Sequence, residues 1–438
     1  MVIAGGGTAG VPAAIAAARS GVSTLIIEQY GHLGGTAVGG IPFLGSLDGK
    51  GRVVNQGIYL EIIDRLKQEN MCFGYAQGAR WNTEEEYQFS LVPFDPEGYK
   101  YIAQQMVLEA GAEILFHTYV SDVKIMDGRV TALEVVNKSG KQWIEADVFV
   151  DCTGDADVAY MAGAHFIEKS DFQNCSILMR LGNVDLSRMV DDLRNGNSLS
   201  GWGNWHTRVI EGEKCIGDKA GLIHMAGHFV FGGDEPETTF TAVSLREGEI
   251  FLNATRVPGL CAFNASDVTK AEILERNNVM RLYKLMKARI PSFKNAVLLG
   301  TSAIGFRESR NIVGDYTLTC EEIQNGTSFR DGIARGAYPI DIHDPKGGRT
   351  KFMFIKDGDS YEIPYRCLIP QGLTNVLVAG KNISVTHEAN GSTRIMACVI
   401  SQGEAAGTAA ALCVKNGVDT RGIDGAGLKQ MLHIGVNC

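Results

Sequence analysis

A chain of 438 residues, 45% hydrophobic and 21% charged, has the composition of a globular protein and the length of two domains, or of one domain carrying a large insertion. Its formal charge of -9 and its lack of any Lys/Arg block count against a nucleic-acid partner, because phosphate recognition needs a clustered positive field. No uninterrupted apolar run reaches transmembrane length, and ten cysteines scattered from Cys72 to Cys438, with no C-x-x-C pair and no metal-like spacing, read as reduced thiols rather than a disulfide framework or a metal site.

The opening stretch organises the rest. Met1 to Ala4 reads as a short buried strand, Gly5-Gly6-Gly7-Thr8-Ala9-Gly10 follows at once, and Val11 to Ser20 supplies an Ala-rich helix that closes at Gly21. In a G-x-G-x-x-G turn of this kind Gly5 makes the bend, Gly7 lets backbone approach a pyrophosphate, and Gly10 lets helix and strand pack closely. The helix N-terminus then offers unpaired N–H groups and the positive end of its dipole. Thr24 to Ile27 reads as the next strand, and Glu28 stands at its end, where an acid accepts ribose hydroxyls. With 53 glycines in the chain a glycine turn alone is a weak signal; its place between strand, helix and strand makes it a dinucleotide device. The turn itself does not choose between NAD and FAD.

Residues 29 to 40 are too glycine-rich for regular structure and too apolar for a solvated linker, so backbone there is expected to run against something flat. Gln56 to Gln68 and Pro96 to Glu109 carry apolar stripes at helical spacing. From Glu113 the pattern shifts to period two, with Asp127-Gly128 and Ser139-Gly140 as hairpin turns of a small antiparallel meander. Ile144 to Val150 is expected to form a last hydrophobic strand. It ends in the polar turn Asp151-Cys152-Thr153-Gly154-Asp155, the kind of place where an open α/β sheet binds its ligand. A plainer reading makes that turn the cap of the next helix.

From about Phe166 to Pro364 strand-like runs alternate with loops, and a long helix is expected from a capping box at Thr269-x-x-Glu272 to just before Pro291, with Val279, Leu282, Met286 and Ile290 on its core face. The first texture returns at Asn375 to Ala379, a buried strand turned by Gly380-Lys381-Asn382, and at Thr393 to Lys415, a helix rich in small residues closed by Gly417. The fold class expected is therefore α/β: a Rossmann-like domain with a parallel sheet and a β-meander, discontinuous in sequence (1–165 and 365–438), with an inserted α+β substrate or cap domain (166–364).

At this point the residues resemble a family. The Gly5 to Gly10 turn with Glu28, the Leu33-Gly34-Gly35-Thr36 loop, Thr153-Gly154-Asp155, the Gly305-Phe306-Arg307-Glu308-Ser309-Arg310 segment running to Gly314-Asp315-Tyr316, and Val378-Ala379-Gly380 with Arg394 and Gly403-Glu404-Ala405-Ala406-Gly407 look like bacterial FAD-dependent oxidoreductases. These have a glutathione-reductase-type flavin domain and are distantly similar to fumarate reductase and succinate dehydrogenase flavoproteins. The match runs from end to end, and five motifs in order favour FAD over NAD. The resemblance implies that Gly5, Gly7, Thr8, Ala9 and Gly10 hold pyrophosphate, that Glu28, with Gln29 beside it, holds the adenosine ribose, and that Val120 meets the adenine edge. It further implies that Gly34, Gly35 and Thr36 lie near the ribityl chain and ring, that Thr153, Gly154 and Asp155 pass the adenosine side, and that Gly380, Lys381, Asn382, Arg394 and Ile395 meet the ribityl and flavin end. The last long helix would aim its N-terminus at the flavin edge where negative charge grows on reduction.

Departures from relatives are equally informative. No cysteine pair follows the second glycine loop, so dithiol relay chemistry is not expected, and no second G-x-G-x-x-G follows a strand, so a separate nicotinamide domain is not expected either. The neighbour of Thr36 is Gly35 rather than a flavin-linking histidine, and His32 is the nearest one, so FAD is expected to be held non-covalently. The electron donor or acceptor and the oligomeric state stay open. Reduced thiols fit a cytoplasmic enzyme, although so few residues precede the glycines that a trimmed leader, and hence export, stays open too.

Hydride transfer at the flavin N5 needs a group that moves a proton. His387 and Glu388, shortly after the Gly380 turn, are the first candidates for general base, against the plainer reading that His387 only hydrogen-bonds the loop. Arg307 and Arg310 suit a carboxylate or a developing oxyanion, against a structural pairing with Glu308 and Asp315. His343 is a weaker candidate, and Trp202, Trp205 and His206 could line a pocket or simply pack. The leading expectation is an FAD-dependent oxidoreductase acting on a small polar or anionic molecule. Two alternatives are an RNA-modifying flavoprotein, disfavoured by the acidic charge, and a protein in which FAD is structural or sensing.

Overall fold

The computed structural model describes residues 1–72, 74–80, 88–169, 171–194, 202–211, 223–229, 238–344, 350–432 and 434. Its organising layer is a five-stranded parallel sheet in the order Val376–Val378, Phe149–Asp151, Val2–Ala4, Leu25–Ile27, Glu113–Leu115. These strands are short and almost wholly apolar, as strands covered on both faces must be. The first strand lies in the middle. The chain leaves it in one direction for the strands at 25 and 113 and in the other for those at 149 and 376. That reversal opens a crevice at the carboxyl end of Val2–Ala4, where the Gly5 turn stands.

The first helix, Gly10–Arg19, packs against the long helix Met396–Asn416. Both present small residues. Gly403 and Gly407, one turn apart, sit so close to the first helix that a Cβ on either would overlap the carbonyl oxygen of Ala9 or Ala13. The beginning and end of the chain are thereby locked together below the crevice. The Met396–Asn416 helix is long and apolar enough to cross a membrane, although no uninterrupted apolar run is; most of it is buried in this core.

Several local expectations need correction. Gly35–Gly39 forms a short 3₁₀ helix inside the glycine-rich stretch. Glu113–Leu115 is the edge of the parallel sheet, and the meander is built from Tyr119–Met126, Arg129–Asn137 and Gly140–Glu145. Ile144 belongs to that meander, so the run 144–150 is two strands rather than one, broken at Ala146 to Val148. The long inserted helix is Ala265–Arg289, capped by the Asn264 side chain at the amides of Ser266 and Asp267. Thr269 lies inside it and donates to the Ala265 carbonyl, because an earlier and better-placed cap competes successfully. The helix expected over Thr393 to Lys415 starts slightly later, as Met396–Asn416, and a separate short helix, His387–Thr393, capped by Thr386, precedes it.

The inserted region carries a six-stranded antiparallel sheet in the order Trp202–Glu211, Ile223–Phe229, Thr238–Arg246, Glu249–Asn253, Met179–Gly182, Val297–Thr301. Ala265–Arg289 covers it, and Val279, Leu282 and Met286 pack against Met179, Leu181 and Leu252, as the helical spacing requires. Residues beyond 310 return to the first core, where Leu318, Ile333, Ile340, Tyr361 and Ile363 are buried. The side chains of Trp202, Trp205 and His206 lie outside the described residues.

Candidate active site and flavin cradle

The two glycine loops meet at the crevice. Gly5 takes a left-handed φ of 97°, and a Cβ there would overlap the Cys152 carbonyl. Gly7 is uncrowded: a Cβ built on it would meet only the Gly35 Cα, in ordinary contact at 3.8 Å. The Gly34 N–H donates to the Gly6 carbonyl at 2.8 Å, and the Thr8 hydroxyl donates to the Gly34 carbonyl at 3.4 Å. Among the described residues the N–H groups of Gly7, Thr8 and Ala9 find no acceptor. An open glycine face, ringed by unspent amides at a helix N-terminus, fits a pyrophosphate.

Glu28 is buried at the end of the second strand and accepts from the Gly6 N–H at 2.7 Å and the Tyr30 N–H at 2.8 Å. Burial raises its carboxyl above the usual range, against the pull of those two amides. Its Oε2 thus ties down the glycine turn and its Oε1 the loop at Tyr30, and each oxygen keeps a further lone pair. Gln29 beside it is exposed, and Val120 is half-buried in the meander opposite Val135. Thr153 donates to Asp151 and accepts from the Asp157 N–H, so the polar turn does cap the helix that follows it. Asp151 beneath is fully buried and pushed up to about 6 by that burial. Lys381 spans from Asp155, at 3.4 Å, to the Phe306 carbonyl, at 3.0 Å, and ties the Gly154 turn to the Gly380 turn.

At the far end of the crevice, buried polar atoms accumulate without partners. Both amide atoms of Asn382 and of Asn390, the Thr393 hydroxyl and the Arg394 Nε have none. Gln173 Nε2 and Asn174 Oδ1 are in the same condition. Buried polar groups in folded proteins nearly always find a partner. A set of donors and acceptors on the Gly380 turn and at the Ile395 cap of the long helix fits the polar edge and hydroxyl chain of a flavin.

Two charged clusters flank this end. In the first, His387 Nδ1 lies 2.8 Å from Glu308 Oε1, the Gln173 N–H donates to Glu308 Oε2 at 2.9 Å, and Lys169 stands 3.7 Å away. Glu308 is buried, yet His387 and Lys169 outweigh dehydration and hold its carboxyl below the usual range. The hydrogen bond to Glu308 in turn raises His387. Glu388, the next residue, is half-buried and makes no hydrogen bond or ion pair among the described residues.

The second cluster gathers Arg256, Arg307, Asp341, His343 and Arg394. Arg307 donates to the Asn174 carbonyl at 2.6 Å and the Ser176 hydroxyl at 2.9 Å, with no acid in hydrogen-bond reach. Arg394 Nη2 donates to the Asp341 carbonyl at 3.2 Å and lies 3.7 Å from its carboxylate. His343 Nε2 is 3.4 Å from Asp341 Oδ1. Dehydration, then repulsion by Arg394 and Arg256, pushes Arg307 down to about 9; burial, with Arg307 and Arg256 working against the pull of Asp341, pushes His343 to about 4. Asp341 is held well below the carboxylate range by His343, Arg394 and Arg307 in spite of its burial. The Gln173 side chain links the clusters by accepting from the His343 N–H at 2.9 Å.

Arg310 belongs to neither cluster. It donates to Asp157 and to the Asp155 carbonyl, both at 2.8 Å, between the rings of Tyr160 and Phe263. Asp315 pairs with Arg421 instead. Arg256 and Lys169 carried no sequence signal, each being one basic residue in a stretch without a motif. Asp341 did: Ile340-Asp341-Ile342-His343 alternates, which sets Asp341 and His343 on one face of a strand.

A family model described as FAD dependent oxidoreductase matches residues 1–432. No curated protein sequence matches the chain. Among solved structures, similar ones include a geranylgeranyl bacteriochlorophyll reductase-like protein from Thermoplasma acidophilum, 13% identical with a TM-score of 0.47, covering 95% of this chain and 78% of that one. Another is p-nitrophenol 4-monooxygenase from Pseudomonas putida, 12% identical with a TM-score of 0.49, covering 96% and 81%. A third is an aromatic hydroxylase from angucycline biosynthesis, 15% identical with a TM-score of 0.48, covering 98% of this chain and 64% of that one.

Proposed function

Since the chain belongs to the FAD-dependent oxidoreductase family, we propose that it moves a hydride between FAD and a small polar or anionic substrate. When bound, FAD supplies the hydride acceptor or donor at its N5 atom. Gly5 to Gly10 hold its pyrophosphate, Glu28 its ribose, and Asn382, Arg394 and the cap at Ile395 its flavin end.

The observation that carries the substrate reading is the second cluster. Arg307 is positioned by two neutral acceptors and spends no charge on a protein acid, so its guanidinium is available to an anion. Its dehydrated setting makes such a contact stronger than it would be in water. His387 takes or returns the substrate's proton. Glu308 holds Nδ1 and leaves Nε2 as the working atom, the arrangement that a positioned general base needs. Glu388, the next residue, is the second candidate for that base.

The test is anaerobic. FAD-loaded protein is mixed with hydroxy acids, saturated dicarboxylates, amines and sugars while the flavin band near about 450 nm is followed. Bleaching by an anionic member supports the reading, and Arg307→Ala should abolish it. Bleaching by amines or neutral sugars alone would reject the anionic substrate.

A further inference from the structure

We infer that the arginine cluster takes a small dianion, a dicarboxylate or a phosphate monoester, and that Arg256 engages its second anionic group. This rests on the anionic-substrate reading and narrows it. The charges do not balance among the described residues. Three guanidiniums, of Arg256, Arg307 and Arg394, face one full carboxylate, Asp341, while His343 stays neutral at physiological pH. The remaining acid in reach is Glu275, buried on the Ala265–Arg289 helix and pushed up to about 7 by its burial, so it is ionised only in part. A surplus of one to two positive charges remains.

Unpaired buried charge is costly, and proteins rarely leave it so without a ligand. Arg256 makes no hydrogen bond and no ion pair among the described residues; its neighbours Thr255 and Val257 bond Ile177 and Cys175, so its backbone runs beside the segment whose Ser176 hydroxyl holds Arg307. With Arg394 set against Asp341, an unspent planar fork, Arg256, beside one fixed only by neutral groups, Arg307, suits one ligand with two anionic ends, and each fork matches a carboxylate or phosphate. A monoanion leaves one guanidinium uncompensated. A dianion neutralises the surplus and favours the protonated form of Glu275.

Binding on FAD-loaded protein, read by calorimetry and by thermal shift, decides this with malonate, glycerol 3-phosphate and acetate as probes. Malonate or glycerol 3-phosphate should bind at least about tenfold more tightly than acetate, since a charged hydrogen bond is typically worth that factor or more. Which of the two binds identifies carboxylate or phosphate as the second group. Arg256→Gln should remove that advantage and leave acetate binding within about twofold. Arg256→Lys, which keeps the charge if the Gln variant fails to fold, should retain part of it. Equal affinity for all three probes, or equal losses for dianion and acetate in the variants, would overturn the inference. Should the protein take up no FAD, the flavin reading fails, and the same comparison on the unloaded chain still decides the anion reading.

Discussion

Glu308 Oε1 lies 2.8 Å from His387 Nδ1, and the carboxylate is buried while the imidazole is about one-third exposed. The pair joins the segment after Gly305 to the helix after the Gly380 turn. It also orients the only titratable ring beside the Gly380 turn among the described residues. The Gln173 N–H donates to the other carboxylate oxygen, and Lys169 adds a second positive charge 3.7 Å from Oε1.

A general base works in its neutral form, and Glu308 raises the pKa of His387. The acid limb of kcat/KM should therefore lie above the ordinary histidine range of about 6.5. Glu308→Gln keeps an acceptor and removes the charge, so it should move that limb to lower pH, and His387→Ala should cost about 10²-fold or more in kcat. A merely structural pair would lower stability in both variants without moving the limb.

The same pair has a stability signature of opposite sense. A histidine whose folded pKa is raised stabilises the folded state below its unfolded pKa, and that contribution disappears as pH rises through the folded value. The difference in urea midpoint between the parent and His387→Gln should be largest at acid pH and shrink by pH 9. A difference that grows with pH would contradict the ion pair.

Gly7 and Gly403 separate binding from folding. Gly7→Ala places its methyl in ordinary contact with the Gly35 Cα and overlaps nothing, so the unloaded protein should keep its stability within about 0.5 kcal/mol while FAD affinity falls sharply. Gly403→Ala drives a methyl into the Ala9 carbonyl and should destabilise the fold by about 1–3 kcal/mol. Chemical denaturation with and without FAD distinguishes them; loss of fold in Gly7→Ala would contradict the open cradle.

Arg310 is tied to Asp157 and Asp155 and stacked between Tyr160 and Phe263. Arg310→Ala should weaken FAD retention or thermal stability while leaving the pH profile and anion affinity unchanged. An altered profile would return it to the chemistry.

The central sheet, the two glycine loops and the final buried helix were legible because each has a local cause. Strands buried on both faces are apolar throughout, turns with positive φ demand glycine, and helices that touch along their backbones need small residues. The active site was only half legible. His387 and Arg307 followed motifs that could be read in order, yet their partners lie far along the chain: Glu308 for His387, and Asn174 and Ser176 for Arg307. Arg256 and Asp341 join Arg307 only through contacts between segments far apart in the chain, which no local pattern encodes. The start of the long inserted helix was misplaced for a related reason. Two cap signals, Asn264 and Thr269, compete five residues apart, and folding chooses the one that satisfies two amides.

The most direct test of the account is anaerobic reduction of FAD-loaded protein by a panel of small anions, followed at the flavin band near about 450 nm, in the parent and in Arg307→Ala. The account predicts bleaching by an anionic member of the panel in the parent and none in the variant. Purified protein that takes up no FAD, or flavin bleached equally well in both proteins, would contradict it.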